Sequence, residues 1–138
     1  MDLSQLPRDN PSETVASKTF NVADPVAYSI TAYVRPHKLE EVKSAVAVLP
    51  VTGISISDVR GSGNNPEKSS AFPGADMIVP LPVRSRLVVV VPAELKDAVV
   101  EAIVEAARTG SQGDGKVFVE PIEDVLRLRT GERGIDAV

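Results

Sequence analysis

Apolar and polar positions follow a clear order from residue 28 onward. Tyr28, Ile30, Ala32 and Val34 alternate with Ser29, Thr31 and Tyr33, the period of a half-buried strand. Pro36 ends it. Leu39, Val42, Val46 and Leu49 then recur at helical spacing, which predicts one apolar helix face before Pro50 and Gly53 stop the helix. Ile54 and Ile56 alternate with Ser55 and Ser57, predicting a second strand that runs to about Arg60. Arg84 to Val91 is a third strand, and its run Leu87 to Val91 predicts a central position covered on both faces. Pro92 sits at a helix start, and Leu95, Val99, Ile103 and Ala106 mark the buried side of that second helix. Val117 to Val119 predicts a short fourth strand, followed by a helical turn around Ile122 to Leu126.

The order β-α-β-β-α-β is that of a ferredoxin-like α+β domain, a four-stranded antiparallel sheet with two helices on one face. The other face stays open, and apolar residues there are buried by association with further copies. Two stretches fall outside this pattern. Residues 1–26 are polar, carry Pro7, Pro11 and Pro25, and read as a flexible arm ahead of a 27–138 domain. Gly61 to Pro82 is too long for a simple connection in a compact domain, and loops of that length are usually functional.

Composition narrows the function classes. A hydrophobic fraction of 43% with 25% charged residues fits one globular domain in 138 residues. With no cysteine, thiol catalysis, disulfides and cysteine metal sites are excluded. The single histidine, His37, follows Pro36 and reads as an exposed helix-start residue. A net charge of −4 and the lack of a basic, aromatic-studded stripe argue against a nucleic-acid partner. No apolar run approaches the ~20 residues of a spanning helix, and no signal-peptide pattern opens the chain, so a cytoplasmic location is expected.

The chemistry concentrates between Thr109 and Phe118. Gly110, Gly113 and Gly115 permit positive φ and can turn backbone N–H groups toward an anion, and Lys116 adds a charge at the edge of that nest. Gly110 to Lys116 has the spacing of a P-loop, but Val117 stands where a P-loop needs a magnesium-binding hydroxyl. The loop also runs from helix to strand, the reverse of a P-loop. A P-loop NTPase is therefore excluded.

These residues resemble the signature T-G-x-x-G-D-G-K-[IV]-[FW] of the PII signal-transduction family, whose B-loop holds phosphate. The resemblance spans about Tyr28 to Val138 and includes Val34 to Leu39, Ala106 to Gly110 and Leu126 to Gly134. It implies a homotrimer with its open faces turned inward and an adenine nucleotide (ADP, AMP or ATP) in each cleft between subunits. By position, the base would meet Tyr33, Ser55, Gly61 and Val90, and Gly63 would be a further nucleotide contact. The phosphates would meet Gly113, Asp114, Gly115 and Lys116, with Arg127 and Arg129 reaching in from the adjacent subunit. Being two residues apart, these arginines would face the same way in an extended segment.

The departures from the family pattern shape the expected ligand. Asn64 replaces an arginine aimed at the terminal phosphate, and Val88 replaces a glutamate beside the ribose and the B-loop lysine. ADP or AMP is therefore expected to bind at least as well as ATP. At the effector site Asn65 replaces the Mg²⁺-chelating glutamine and Arg84 replaces the lysine that holds 2-oxoglutarate, so both Mg²⁺ and that acid are expected to matter less. Met77 and Ala75 occupy the usual modification positions. The altered loop makes the carboxysome-associated, bicarbonate-responsive branch a candidate. The expected protein is a non-enzymatic regulator that controls a transporter or metabolic enzyme through residues 61–82. The alternatives are an ordinary nitrogen sensor binding ATP and 2-oxoglutarate, or a small nucleotide-hydrolysing enzyme, for which only Asp114 lies near the phosphates as a base.

Overall fold

The protein is described from a computed structural model, over residues 24–61 and 81–138. The expected arm (1–23) and most of the long loop (62–80), including Gly63, Asn64, Asn65, Ala75 and Met77, lie outside the described residues.

Four strands, β1 (Ala27–Val34), β2 (Ser55–Arg60), β3 (Val83–Val91) and β4 (Gly115–Ile122), form one sheet in the order β2-β3-β1-β4. All neighbours are antiparallel. Helices α1 (Leu39–Ala47) and α2 (Ala93–Ala107) pack on each other and on the sheet. A 3-10 turn, Pro36–Lys38, leads into α1 and leaves His37 exposed, as its sequence position suggested. This is the ferredoxin-like architecture read from the sequence.

The core lies between sheet and helices. Ile30, Ala32 and Val34 of β1 and Leu87, Val89 and Val91 of β3 meet Val42 and Val46 of α1 and Val99, Ile103 and Ala107 of α2. Burying Leu87 or Ile103 contributes roughly 1.5–3 kcal/mol each, more than the exposed Ile54, just before β2, and Ile56, within it, can add. The centre of the sheet, not its β2 edge, holds the domain together.

Four expectations need correction. β3 is central, but it is not doubly covered within one chain: Leu87, Val89 and Val91 are buried while Val88 and Val90 are only half-buried. Strict alternation hides in a run of valines because both faces take the same residue type. β4 is longer than Val117–Val119, since its ladder with β1 runs from Gly115 to Ile122 and includes Pro121 on the sheet edge. The helical turn expected at 122–126 is absent. Instead Leu126 bridges to Arg133, and a 3-10 turn, Gly134–Ala137, closes the chain. Finally, Ala107 rather than Ala106 occupies the last fully buried position of α2, in step with Val99 and Ile103 at four-residue spacing.

Strand register sorts the second face. Ser57, Arg86, Tyr33 and Lys116 form one cross-sheet row, and Ser55, Val88, Thr31 and Phe118 form the next. Val90, Ser29 and Glu120 make a third. Among the described residues no helix covers this face, and Phe118 is exposed on it. Gly61 N donates to Pro82 O at 3.2 Å, which closes the base of the long loop across the ends of β2 and β3.

Candidate functional site

The connection from α2 to β4 takes the nest conformation that its glycines allow. Gly110, Gly113 and Gly115 have φ of 87°, 91° and 106°. At Gly115 the requirement is absolute, because a Cβ there would lie 1.7 Å from Tyr33 O on β1. The close approach of β4 to β1 at the foot of the loop therefore depends on a residue with no side chain.

Asp114 organises the loop from within. Its carboxylate accepts the backbone N–H groups of Thr109 (2.8 Å) and Gly110 (2.9 Å) and the hydroxyl of Thr109, while Ser111 N donates to Thr109 Oγ1 at 3.2 Å. Arg35, at the end of β1, donates from Nε to the same carboxylate at 3.4 Å and from Nη2 to Gln112 O. These bonds occupy the first amides of the loop, so an anion can meet only its later part, from Gly113 to Lys116. Asp114 can take part there only through its backbone N–H. Lys116 opens β4, is exposed, and makes no ion pair among the described residues.

The Thr109 hydroxyl, followed by the Thr109 N–H, the Gly110 N–H and Arg35, holds the Asp114 carboxyl well below the usual carboxylate range, against a smaller opposing effect of burial. A depressed folded pKa means the stabilisation is complete above the unfolded value, about 3.9, and is lost as pH falls below it. The amide resonances of Thr109 and Gly110 are therefore expected to stay constant from neutral pH down to about pH 4 and to move only in stronger acid. Asp114→Asn should shift them at neutral pH and abolish the acid transition. Movement of wild-type resonances between pH 5 and 7 would contradict this account.

The remaining predicted residues divide between the two halves of the open face. Tyr33 and Lys116 are neighbours on β1 and β4, and the Tyr33 ring meets Phe118 edge-on, 6.0 Å between centroids. Ser55 and Val90 lie on β2 and β3, and Gly61 follows at the end of β2. Arg84 lies near the base of the long loop on β3, with its Nη1 3.4 Å from Val83 O.

Arg127 and Arg129 do not form the extended pair that their spacing suggested. Gly131 and Gly134, with φ of 74° and 75°, fold this segment into a hook, in which Gly131 N donates to Arg127 O at 2.8 Å and Gly134 N to Val125 O at 3.0 Å. Arg127 is held within the hook by Glu132 (3.3 Å) and by Asp136 O (3.5 Å). Arg129 sits exposed in the turn beside Leu128, which is 95% exposed. The glycines of Thr130 to Gly134 were the sequence signal for this turn.

Two grooves lie among the described residues, and one of them borders the candidate site. That one, of about 220 Å³, has an apolar floor of Val34, Ile103, Ala107 and Val117 and a rim of Tyr33, Asp114, Gly115 and Lys116, and by itself it is below the usual range for drug-sized ligands. The other, between α1 and α2, is lined by Glu40, Glu41 and Glu105, the wrong sign for phosphate. No cluster of three metal-binding side chains occurs among the described residues. Sequence reasoning missed two cations: Arg35, which braces the loop, and Arg86, centred on the open face. Arg86 was legible as the partner of Arg84 at strand spacing.

A helix-to-strand glycine nest ending in Lys116, on a ferredoxin-like sheet, is the reverse of the strand-to-helix order of a P-loop and places the chain among small α+β domains of another class. The family model for nitrogen regulatory protein P-II matches residues 27–132, and the chain belongs to that family. It is 45% identical to nitrogen regulatory protein P-II 1 of Methanothermobacter thermautotrophicus over 109 residues, covering 79% of this chain and 95% of the relative. It is 41% identical to the P-II protein of Cereibacter sphaeroides over the same length, covering 79% and 97%. A solved structure, Arabidopsis thaliana PII bound to citrate, superposes with a TM-score of 0.65 at 38% identity, covering 81% of this chain and 92% of that one. Proteins of this family are trimeric signalling regulators that act on target proteins.

Proposed function

We propose that this chain is a non-enzymatic regulator that forms a homotrimer, binds adenine nucleotides at the Gly113–Lys116 loop, and signals to a transporter or metabolic enzyme through residues 61–82. The observation that carries this reading is the division of labour in the loop. Asp114 and Arg35 hold it in shape, and Lys116 beside it has no partner among the described residues. The same observation disfavours a hydrolase, because a carboxylate held this far below the usual range is a poor base near neutral pH. Glu120 and Glu123 are exposed.

ADP and AMP are favoured over ATP on the strength of Asn64 and Val88, which lack the charges that family members direct at the terminal phosphate and the B-loop lysine. A small oxyanion such as bicarbonate is the effector that best fits the loss of the chelating glutamine at Asn65 and the arginine at Arg84. The names of the relatives favour a second reading, a nitrogen regulator, for which the family resemblance implies ATP, Mg²⁺ and 2-oxoglutarate as ligands. Calorimetric titration of ATP, ADP and AMP, each with and without Mg²⁺ plus 2-oxoglutarate or bicarbonate, decides between them. The first reading expects ADP at least as tight as ATP and little gain from 2-oxoglutarate. ATP binding that tightens tenfold or more with Mg²⁺ and 2-oxoglutarate would establish the second.

A further inference from the structure

Arg86 stands near the middle of the open sheet face, half-buried, with Ser57 on one side and Tyr33 on the other. It makes no hydrogen bond or ion pair among the described residues. A guanidinium partly withdrawn from water needs an acceptor, because desolvation is otherwise uncompensated. The face supplies almost none. Apart from Arg84, which has a partner of its own, its strands present Arg86 and Lys116 against a single carboxylate, Glu120. Glu120 is four residues along β4 from Lys116, roughly 13 Å at strand rise, and Asp58 points to the helix side beside Ser85. Association of copies through this face adds more cations than acids, so another copy's open face cannot neutralise all of them.

We propose that Arg86 is an anion-binding residue which, together with Lys116, holds the phosphate oxygens of a ligand laid across Tyr33. Arg86 and Lys116 are register partners of Tyr33 on opposite sides, their Cα atoms about 10 Å apart across two strand spacings. Two long cationic side chains can close over the ring from that separation. The guanidinium offers a fork of donors to a phosphate, and the ammonium offers a point charge. Val88, next to Arg86 on the same face, leaves it without a competing carboxylate. This assignment rests on the nucleotide reading above and adds a residue to it.

The test is calorimetry of ADP and adenosine on the full chain and on Arg86→Gln, Arg86→Lys and Lys116→Ala, together with the ligand-free melting temperature of each. Arg86→Gln is expected to weaken ADP about tenfold or more, the range for losing a hydrogen bond to a charged group, and to leave adenosine unchanged. Arg86→Lys should recover part of the loss. The ligand-free melting temperature of Arg86→Gln should hold or rise, since a like charge has been removed. A lower ligand-free melting temperature with an unchanged ratio of ADP to adenosine affinity would show that Arg86 is a structural ion-pair partner and overturn the assignment. Loss of ADP binding in Lys116→Ala but not in Arg86→Gln would overturn it while leaving the nucleotide site intact. Absence of ADP binding in the unmodified chain would overturn both.

Discussion

Gly115→Ala is expected to lower the melting temperature by about 10 °C or more, the largest single-residue effect in the functional loop. The new methyl group would stand 1.7 Å from Tyr33 O, and the φ of 106° is itself strained for any side chain. Relief requires β4 to move away from β1 where Val34 faces Gly115 and Tyr33 faces Lys116. A cost of about 3 kcal/mol or more follows from an uncollapsible backbone clash added to the conformational strain. Gly110→Ala is the matched control. Its φ of 87° brings strain, but nothing lies within 4 Å of the added carbon, so roughly 1 kcal/mol is expected. Equal melting temperatures for the two variants would show that the clash is absorbed locally and that the loop is not tied to the β1–β4 ladder.

Lys116→Ala is expected to weaken ADP binding by about tenfold to a hundredfold, or roughly 1.5–3 kcal/mol, while leaving stability nearly unchanged. The second half of that statement follows from the structure. Lys116 is exposed and has no partner among the described residues, so its removal breaks no bond among them. Arg129→Ala should behave in the same way, because Arg129 is also exposed in its turn and has no partner among the described residues. Arg127→Ala should not. It strips Glu132 and the Asp136 carbonyl of a partner in the hook, so any loss of binding there mixes contact with folding. Unchanged ADP affinity in both Lys116→Ala and Arg129→Ala would remove this loop as the nucleotide site.

The long-period patterns carried most of the architecture. Alternation in β1, helical spacing in α1 and α2, and prolines at the element ends specify which side of each segment is apolar, and a ferredoxin-like order leaves few ways to pack them. The nest was legible for a similar reason, since three glycines followed by a lysine have few backbone conformations in which they are useful. The C-terminal segment was misread because two arginines at strand spacing carry no information about the chain direction between them. Glycines at 131 and 134 reverse that direction, and hydrogen bonds from Gly131 and Gly134 to residues earlier in the hook hold it reversed.

What the residues determined by themselves was local: periodicity, turn chemistry, the conformational licence of Gly110, Gly113 and Gly115, and the absence of groups needed for P-loop or thiol chemistry. Only the tertiary structure decided which partner each charge finds. Asp114 reads in the sequence as a ligand-facing or catalytic acid, yet it turns inward to Thr109, Gly110 and Arg35, a residue far away along the chain. Arg86 reads as an ordinary strand charge, yet register sets it between Ser57 and Tyr33, with no carboxylate as a partner among the described residues. The reason is physical. Hydrophobic period is a property of neighbours along the chain, whereas a charge's energy depends on what lies across the sheet, and that distance closes only when the strands pair.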